Sequence, residues 1–186
     1  MKLEIRTYGD PVLRAPTARV AAVNDDIRRL IADMIETMHE AQGIGLAAPQ
    51  VGRSLALCVI DLPADYDTTE DGRRLNPDAA MPLVLLNPEI VSASNKTDEH
   101  EEGCLSFPGL RGNIERPTEI ALRYMDEFGA SHEKTFVDFL ARVIQHEVDH
   151  LNGVLFIDRM SVAKKFALKS RLKRLERETK ERLGLA

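Results

Sequence analysis

Within five residues, His146-Glu147-Val148-Asp149-His150, the chain carries two groups able to bind a metal and one able to move a proton. On a helix, histidines four apart project from the same face one turn above the other, so both imidazoles can reach a single ion. Glu147 lies about 100° round from His146, off the ligand stripe, where it can hold a water on the ion rather than the ion itself. This is the layout of metal-assisted hydrolysis with a carboxylate as the base. The competing reading is two histidines satisfied inside an apolar core.

A catalytic divalent ion usually takes three protein ligands and leaves a position for water. The HExxH stretch supplies two. Downstream, Gly153 stands at the spacing of the HExxHxxGxxH protease pattern, but Phe156 occupies the place of its third histidine. No acidic residue falls between Asp158 and Glu176, so Asp158 is the close downstream candidate. Upstream, Cys104 in Glu102-Gly103-Cys104-Leu105-Ser106 offers a thiolate, a strong ligand for Zn²⁺ or Fe²⁺. The other cysteine, Cys58, sits in the apolar run Leu55 to Ile60 and reads as a core thiol. A run of small residues, Gly43-Ile44-Gly45-Leu46-Ala47-Ala48-Pro49-Gln50, cannot be a packed helix interior. Its glycines either make a tight turn into a strand or let backbone approach a ligand closely. Gln50 is then a polar residue at the strand entrance or an amide aimed at that ligand.

Elements must hold these groups in place. At 100° per residue, Phe139, Val143, His146 and His150 form one stripe, flanked by Leu140, Ile144, Glu147 and Leu151, while Arg142, Gln145 and Asp149 share the opposite, polar side. The histidines therefore face inward on a helix that Asp138 can cap and that should stop at Asn152-Gly153. Residues 1–23, with Pro11 and Pro16, read as extended and turn-rich. Asn24 can cap a helix with Asp25 and Asp26 in its first turn. Apolar Ile27, Leu30, Ile31, Met34, Ile35 and Met38 follow at helical spacing, and the helix should end near Gly43. Strands are expected over Leu55 to Leu62, Leu83 to Leu86, Glu89 to Ser92, around Ile114 and over Thr118 to Asp126, with Lys134 to Val137 pairing back after a turn at Glu127 to Ala130. Ser92 to Glu101 reads as a polar loop. Asp61 to Pro82 is long for a connection in a compact domain and is expected to be loosely ordered. From Ser161 to about Arg182 a single amphipathic helix is expected, with Leu168, Leu172 and Leu175 on one side.

With 186 residues the chain suits one domain able to bury roughly 70% of its unfolded surface. Its apolar runs fall far short of the ~18 residues that a membrane helix needs, and its start resembles neither a signal nor a transit peptide. A cytoplasmic location is the expectation. The net charge is −5, but residues 161–186 hold nine Lys and Arg against three Glu, and the other 160 residues hold 16 basic against 27 acidic side chains. That acidic body argues against general nucleic-acid affinity for the whole protein, and no direct specific nucleic-acid recognition is expected, while the tail is left as a local basic element.

Taken together, the blocks Gly43 to Gln50, Glu102 to Ser106 and Gln145 to His150 resemble, in order and spacing, the three signature motifs of the peptide deformylase family, in its bacterial type. The resemblance runs to about residue 160. It implies a catalytic domain over residues 1–160, with residues 161–186 a basic C-terminal helix of the same single-domain protein. It also implies an α+β fold, antiparallel or mixed sheets packed around a central metal-binding helix, with an N-terminal amphipathic helix and a C-terminal helix, in keeping with the elements above. The implied activity is removal of the N-formyl group from the formylmethionine of nascent chains, releasing formate. Cys104, His146 and His150 would hold one divalent ion, Fe²⁺ in the cell, with Zn²⁺, Ni²⁺ or Co²⁺ able to replace it. Glu147 would be the general acid and base, and the Gln50 amide and the Leu105 N–H would stabilise the oxyanion. Backbone at Ile44 and Gly45 would pair with the substrate, Glu102 and Arg116 would form a structural ion pair, and the tail helix could dock on the ribosome. Phe139, Val143 and Ile44 are the expected lining of a methionine pocket. The alternatives are a zinc-dependent HExxH peptidase and a non-catalytic metal-stabilised module.

Overall fold

The structure, a computed structural model, describes residues 1–185. Its centre is a five-stranded antiparallel sheet, ordered β1 (Gly45–Ala47), β2 (Leu57–Ile60), β3 (Leu83–Ala93), β6 (Glu119–Met125) and β7 (Ser131–Val137). A separate antiparallel ribbon joins β4 (Thr97–Gly103) to β5 (Arg111–Pro117). Helix α1 (Asp25–Glu40) and helix α2 (Asp138–Leu151) belong to different apolar clusters. Alternation along β2 explains this division, because successive side chains point to opposite faces. Leu57 and Val59 pack with Met34 and Met38 of α1, while Cys58 and Ile60 pack with Leu140, Ile144 and Val148 of α2. A strand buried on both faces reads as a continuous apolar run, as this one does.

The α+β expectation holds. Asn24 caps α1, its side chain accepting from the Ile27 N–H at 2.9 Å, and the helix closes through Gln42, whose φ is +56°. Helix α2 ends at Asn152 with Gly153 left-handed at φ +68°, as its sequence predicts. Its start differs. Val137 is the cap and Asp138 the first helical residue, at φ +58°, with its N–H spent on the Thr118 carbonyl at 2.7 Å rather than its carboxylate on the helix.

Three further expectations are corrected. Ser92 to Glu101 is not a loop: β3 runs to Ala93, and β4 begins at Thr97 with hardly an apolar residue to announce it. Pairing with β5 holds that strand, reinforced by Thr97 donating to Glu115 at 2.6 Å and Asn113 donating to Glu99 at 2.8 Å. The tail helix is broken at Leu168 into α4 (Val162–Ala167) and α5 (Lys169–Arg182). Residues 61–82 are anchored rather than loose. A 3₁₀ turn spans Ala64–Asp67, and Asp67, buried at 2% exposure, accepts from Arg74 at 3.0 Å and from Asn76 at 2.5 Å. Asn76 in turn grips the Val137 backbone, accepting its N–H at 2.9 Å and donating to its carbonyl at 3.2 Å.

A third cluster lies beneath the ribbon and the tail. Phe107, Leu110, Ile114, Phe156 of the short helix α3 (Phe156–Arg159) and Leu172 of α5 pack there, with Cys104 at the margin. The tail thus lies on the body, with Thr7 and Thr179 hydroxyls 2.6 Å apart and Arg171 donating to the Gly109 carbonyl at 2.6 Å. No helix among the described residues is long and apolar enough to cross a membrane.

Candidate metal centre

Helix α2 brings His146 and His150 onto one face, with the ring centroids 5.0 Å apart, and the turn after β4 carries Cys104 to meet them. One donor atom from each of the three lies within 4.8 Å of the others. The Cys104 Sγ stands 3.3 Å from His150 Nε2. Donors held by a tetrahedral ion at about 2.0–2.3 Å are about 3.3–3.8 Å from one another, so this spacing fits one small divalent ion.

The atoms behind the ligands fit it too. His146 turns its Nδ1 to the Glu102 carboxylate at 2.9 Å, which leaves Nε2 for the centre and fixes the ring as a carboxylate partner does in metal sites. Burial, reinforced by the neighbouring charges of His146 and Arg116, holds the His150 imidazole well below its ordinary pKa, in the neutral form a ligand needs. For His146 burial pulls downward, but the hydrogen bonds with Cys104 and Glu102 carry it up to about 10. The His146 ring, set between the Glu102 carboxylate and the Cys104 sulfur, therefore stands where positive charge is favoured, and a divalent ion on its Nε2 side would meet that demand without a proton.

Glu147 is 3% exposed, and its Oε2 has no hydrogen-bond partner among the described residues. Burial pushes its carboxyl up to about 7, against the lowering effect of His146 and Arg116. A buried carboxyl near neutrality beside three metal donors suits proton transfer in both directions. Gly45 faces it: a Cβ there would stand 2.9 Å from the Glu147 carboxyl carbon, so only glycine lets β1 come this close.

Gln50 is 1% exposed and its amide is oriented. Its Oε1 accepts the Ala47 N–H at 2.8 Å, and its Nε2 donates to the Cys104 sulfur at 3.3 Å and the Ser106 hydroxyl at 3.2 Å. The donor end thus points to the centre. Leu105 follows Cys104 and packs over Gly43. A cleft of about 720 Å³ opens beside them, lined by Ile44, Gly45, Gln50, Leu105, Phe139, Val143, His146 and Glu147 among others. The Ile44 carbonyl is committed to the sheet, accepting the Asp61 N–H at 3.0 Å, which leaves β1 as the edge strand of the sheet along this cleft.

The cleft and centre collect the metal, catalytic and pocket residues expected from the sequence, whereas Asp158, the downstream candidate for third ligand, pairs instead with Arg14 and Lys165. Sequence reasoning missed the breadth of the support. Arg116, 3% exposed, donates to both Glu102 oxygens at 2.6 and 2.9 Å and to Asp149 at 2.9 Å. Arg142 donates to Glu102 at 2.7 Å and also pairs with Asp98, and Arg159 closes on Asp149 at 2.6 and 3.1 Å. Burial opposes the Glu102 charge, yet hydrogen bonds from His146 and Arg116 hold its carboxyl well below the usual carboxylate range. The signal was present in Arg142 and Asp149, set on the polar side of α2. That side is buried under the ribbon rather than solvated.

The Polypeptide deformylase family model matches residues 2–166. A peptide deformylase of Opitutus terrae is 46% identical over 97% of this chain and 96% of its own, and one of Chlorobaculum parvum is 48% identical over 86% and 80%. Among solved structures, a plant peptide deformylase superposes with a TM-score of 0.85 at 36% identity, covering 98% of this chain and 94% of its own. The Synechococcus elongatus enzyme in complex with actinonin superposes at 0.78 and 43%, covering 91% and 87%.

Proposed function

Because the chain belongs to the polypeptide deformylase family of enzymes, we propose that it removes the formyl group from the N-terminal formylmethionine of nascent chains, with one divalent ion held by Cys104, His146 and His150. The observation that carries this reading is the approach of those three donors to within 4.8 Å of one another, beside a buried Glu147. When bound, the ion supplies Lewis acidity to the attacking water and the formyl oxygen. Glu147 takes a proton from the water as its oxygen adds to the formyl carbon. It returns that proton to the amine nitrogen as the C–N bond breaks, so formate and a free N-terminus depart. Negative charge gathers meanwhile on the formyl oxygen, where the Gln50 Nε2 and the Leu105 N–H donate. Backbone at Ile44 and Gly45 aligns the substrate as a strand added to the edge at β1, and Ile44, Phe139 and Val143 receive the methionine side chain.

Fe²⁺ is the ion we assign in the cell, with Zn²⁺, Ni²⁺ or Co²⁺ as substitutes. Thiolate and imidazole together suit such ions. Residues 1–160 form the catalytic body, working in the cytoplasm where chains begin. The basic α4–α5 tail is its ribosome-docking element, and removing it should abolish ribosome co-sedimentation. The HExxH peptidase reading is not favoured, because the third donor beside His146 and His150 is the Cys104 thiol, where such peptidases place a histidine or a glutamate. Anaerobic purification, metal analysis and a formate assay on a formyl-methionyl peptide test the proposal. Stoichiometric metal with formate release is expected. Cleavage of unformylated peptides at internal bonds, or no formate from metal-loaded protein, would overturn it.

A further inference from the structure

We propose that Tyr66, carried by the anchored segment 61–82, determines specificity for the third residue of the substrate, favouring an apolar or aromatic side chain there. The inference rests on the deformylase reading above and extends it along the peptide.

Tyr66 stacks on Phe139 of α2, with ring centroids 5.2 Å apart and planes 28° apart, and both rings line the catalytic cleft together with Pro63. Tyr66 remains 56% exposed, so this aromatic face is open to a ligand. It is also held in position. The next residue, Asp67, is buried in its bonds with Arg74 and Asn76, and Asn76 grips Val137, two residues before Phe139. One anchor therefore fixes both partners of the stack.

Chain geometry selects the subsite. Val143 and Phe139 lie four residues apart on α2, about 6 Å by helical rise. In an extended peptide the first and third side chains share a face, about 6.6–6.8 Å apart, while the second points away. A substrate lying on β1 with its methionine beside Val143 thus presents its third side chain to the Tyr66–Phe139 wall.

The test compares kcat/KM for formyl-Met-Ala-Phe and formyl-Met-Ala-Asp, and for formyl-Met-Phe-Ala and formyl-Met-Asp-Ala. The wild-type protein should prefer Phe over Asp at the third position by about five-fold, the size an added aromatic contact gives. Tyr66→Ala should bring that ratio close to one and leave the second-position ratio unchanged, whereas Tyr66→Phe should keep both. Tyr66→Asp should favour Lys over Asp at the third position, a gained preference that loss of folded protein cannot mimic. A third-position preference that survives Tyr66→Ala, or equal loss at both positions, would overturn the proposal, as would a wild-type enzyme that turns over all peptides without a third-position preference. Absence of formate from every peptide would instead strike the deformylase reading itself.

Discussion

Replacing Arg116 by Ala should destabilise the protein by about 3 kcal/mol and weaken its hold on the metal. The guanidinium is 3% exposed between Glu102 and Asp149, both nearly buried, and donates three hydrogen bonds of 2.6, 2.9 and 2.9 Å. Removing one partner of a buried ion pair costs about 3–5 kcal/mol, since the other charge stays in low dielectric without its counterion. Here the lower end applies, because Glu102 keeps Arg142 and His146 and Asp149 keeps Arg159. For a chain of this length that loss lowers the melting temperature by about 6–12 °C. Glu102 also orients His146, and disturbing such a partner costs about 10–100-fold in metal affinity. Arg116→Lys keeps the charge but loses the fork, and should fall between Ala and wild type. Urea unfolding with metal loaded, together with competition against a chelator, measures both effects. A stability change below about 1 kcal/mol with unaltered metal retention would show that the buried network is dispensable, contrary to its geometry.

Glu147→Ala should keep bound metal and lose about 10²–10⁴-fold in turnover, the usual contribution of a positioned acid or base; near-normal formate release would refute its role. Stripping the metal with a chelator should abolish activity and lower the melting temperature, because ligand binding to the native state alone adds stability. Gly45→Ala should impair turnover more than folding, as its methyl group meets the Glu147 carboxyl, and an unchanged kcat would contradict that contact. Burial would raise the Asp158 carboxyl, but Arg14 and the Leu155 N–H hold it below its ordinary value. The stabilisation is therefore present above about pH 4 and disappears as pH falls through the depressed native value. Arg14→Ala should flatten melting temperature against pH in that acid range, and an unchanged slope would discount the pair.

The chemistry was legible because HExxH spacing is a local property of a helix, and because Cys104 and Gln50 lie in short motifs of unusual composition. Helices α1 and α2 were legible from apolar periodicity, with Asn24 marking the start of the first and Asn152-Gly153 the end of the second, while Asp138 misplaced the start of α2 by one residue. What escaped depends on partners distant in sequence. The strand β4 has Glu, Asp and His where a half-buried strand would show alternation, and only its register with β5 makes it a strand. The order of residues 61–82 comes from Asp67 and Asn76 reaching the start of α2, contacts that a Pro- and Asp-rich stretch does not announce. Likewise Arg142 reads as a solvent-facing charge until the ribbon covers it.

Helix α2 is enclosed on nearly every side, by the sheet, by the ribbon and by the short helix that follows. A laboratory wishing to retune this enzyme therefore has little freedom there, since almost any exchange disturbs packing and chemistry at once. The exposed positions around Tyr66 offer the opposite: so long as Asp67, Arg74 and Asn76 keep the segment anchored, they can be diversified in libraries while the scaffold beneath is left untouched.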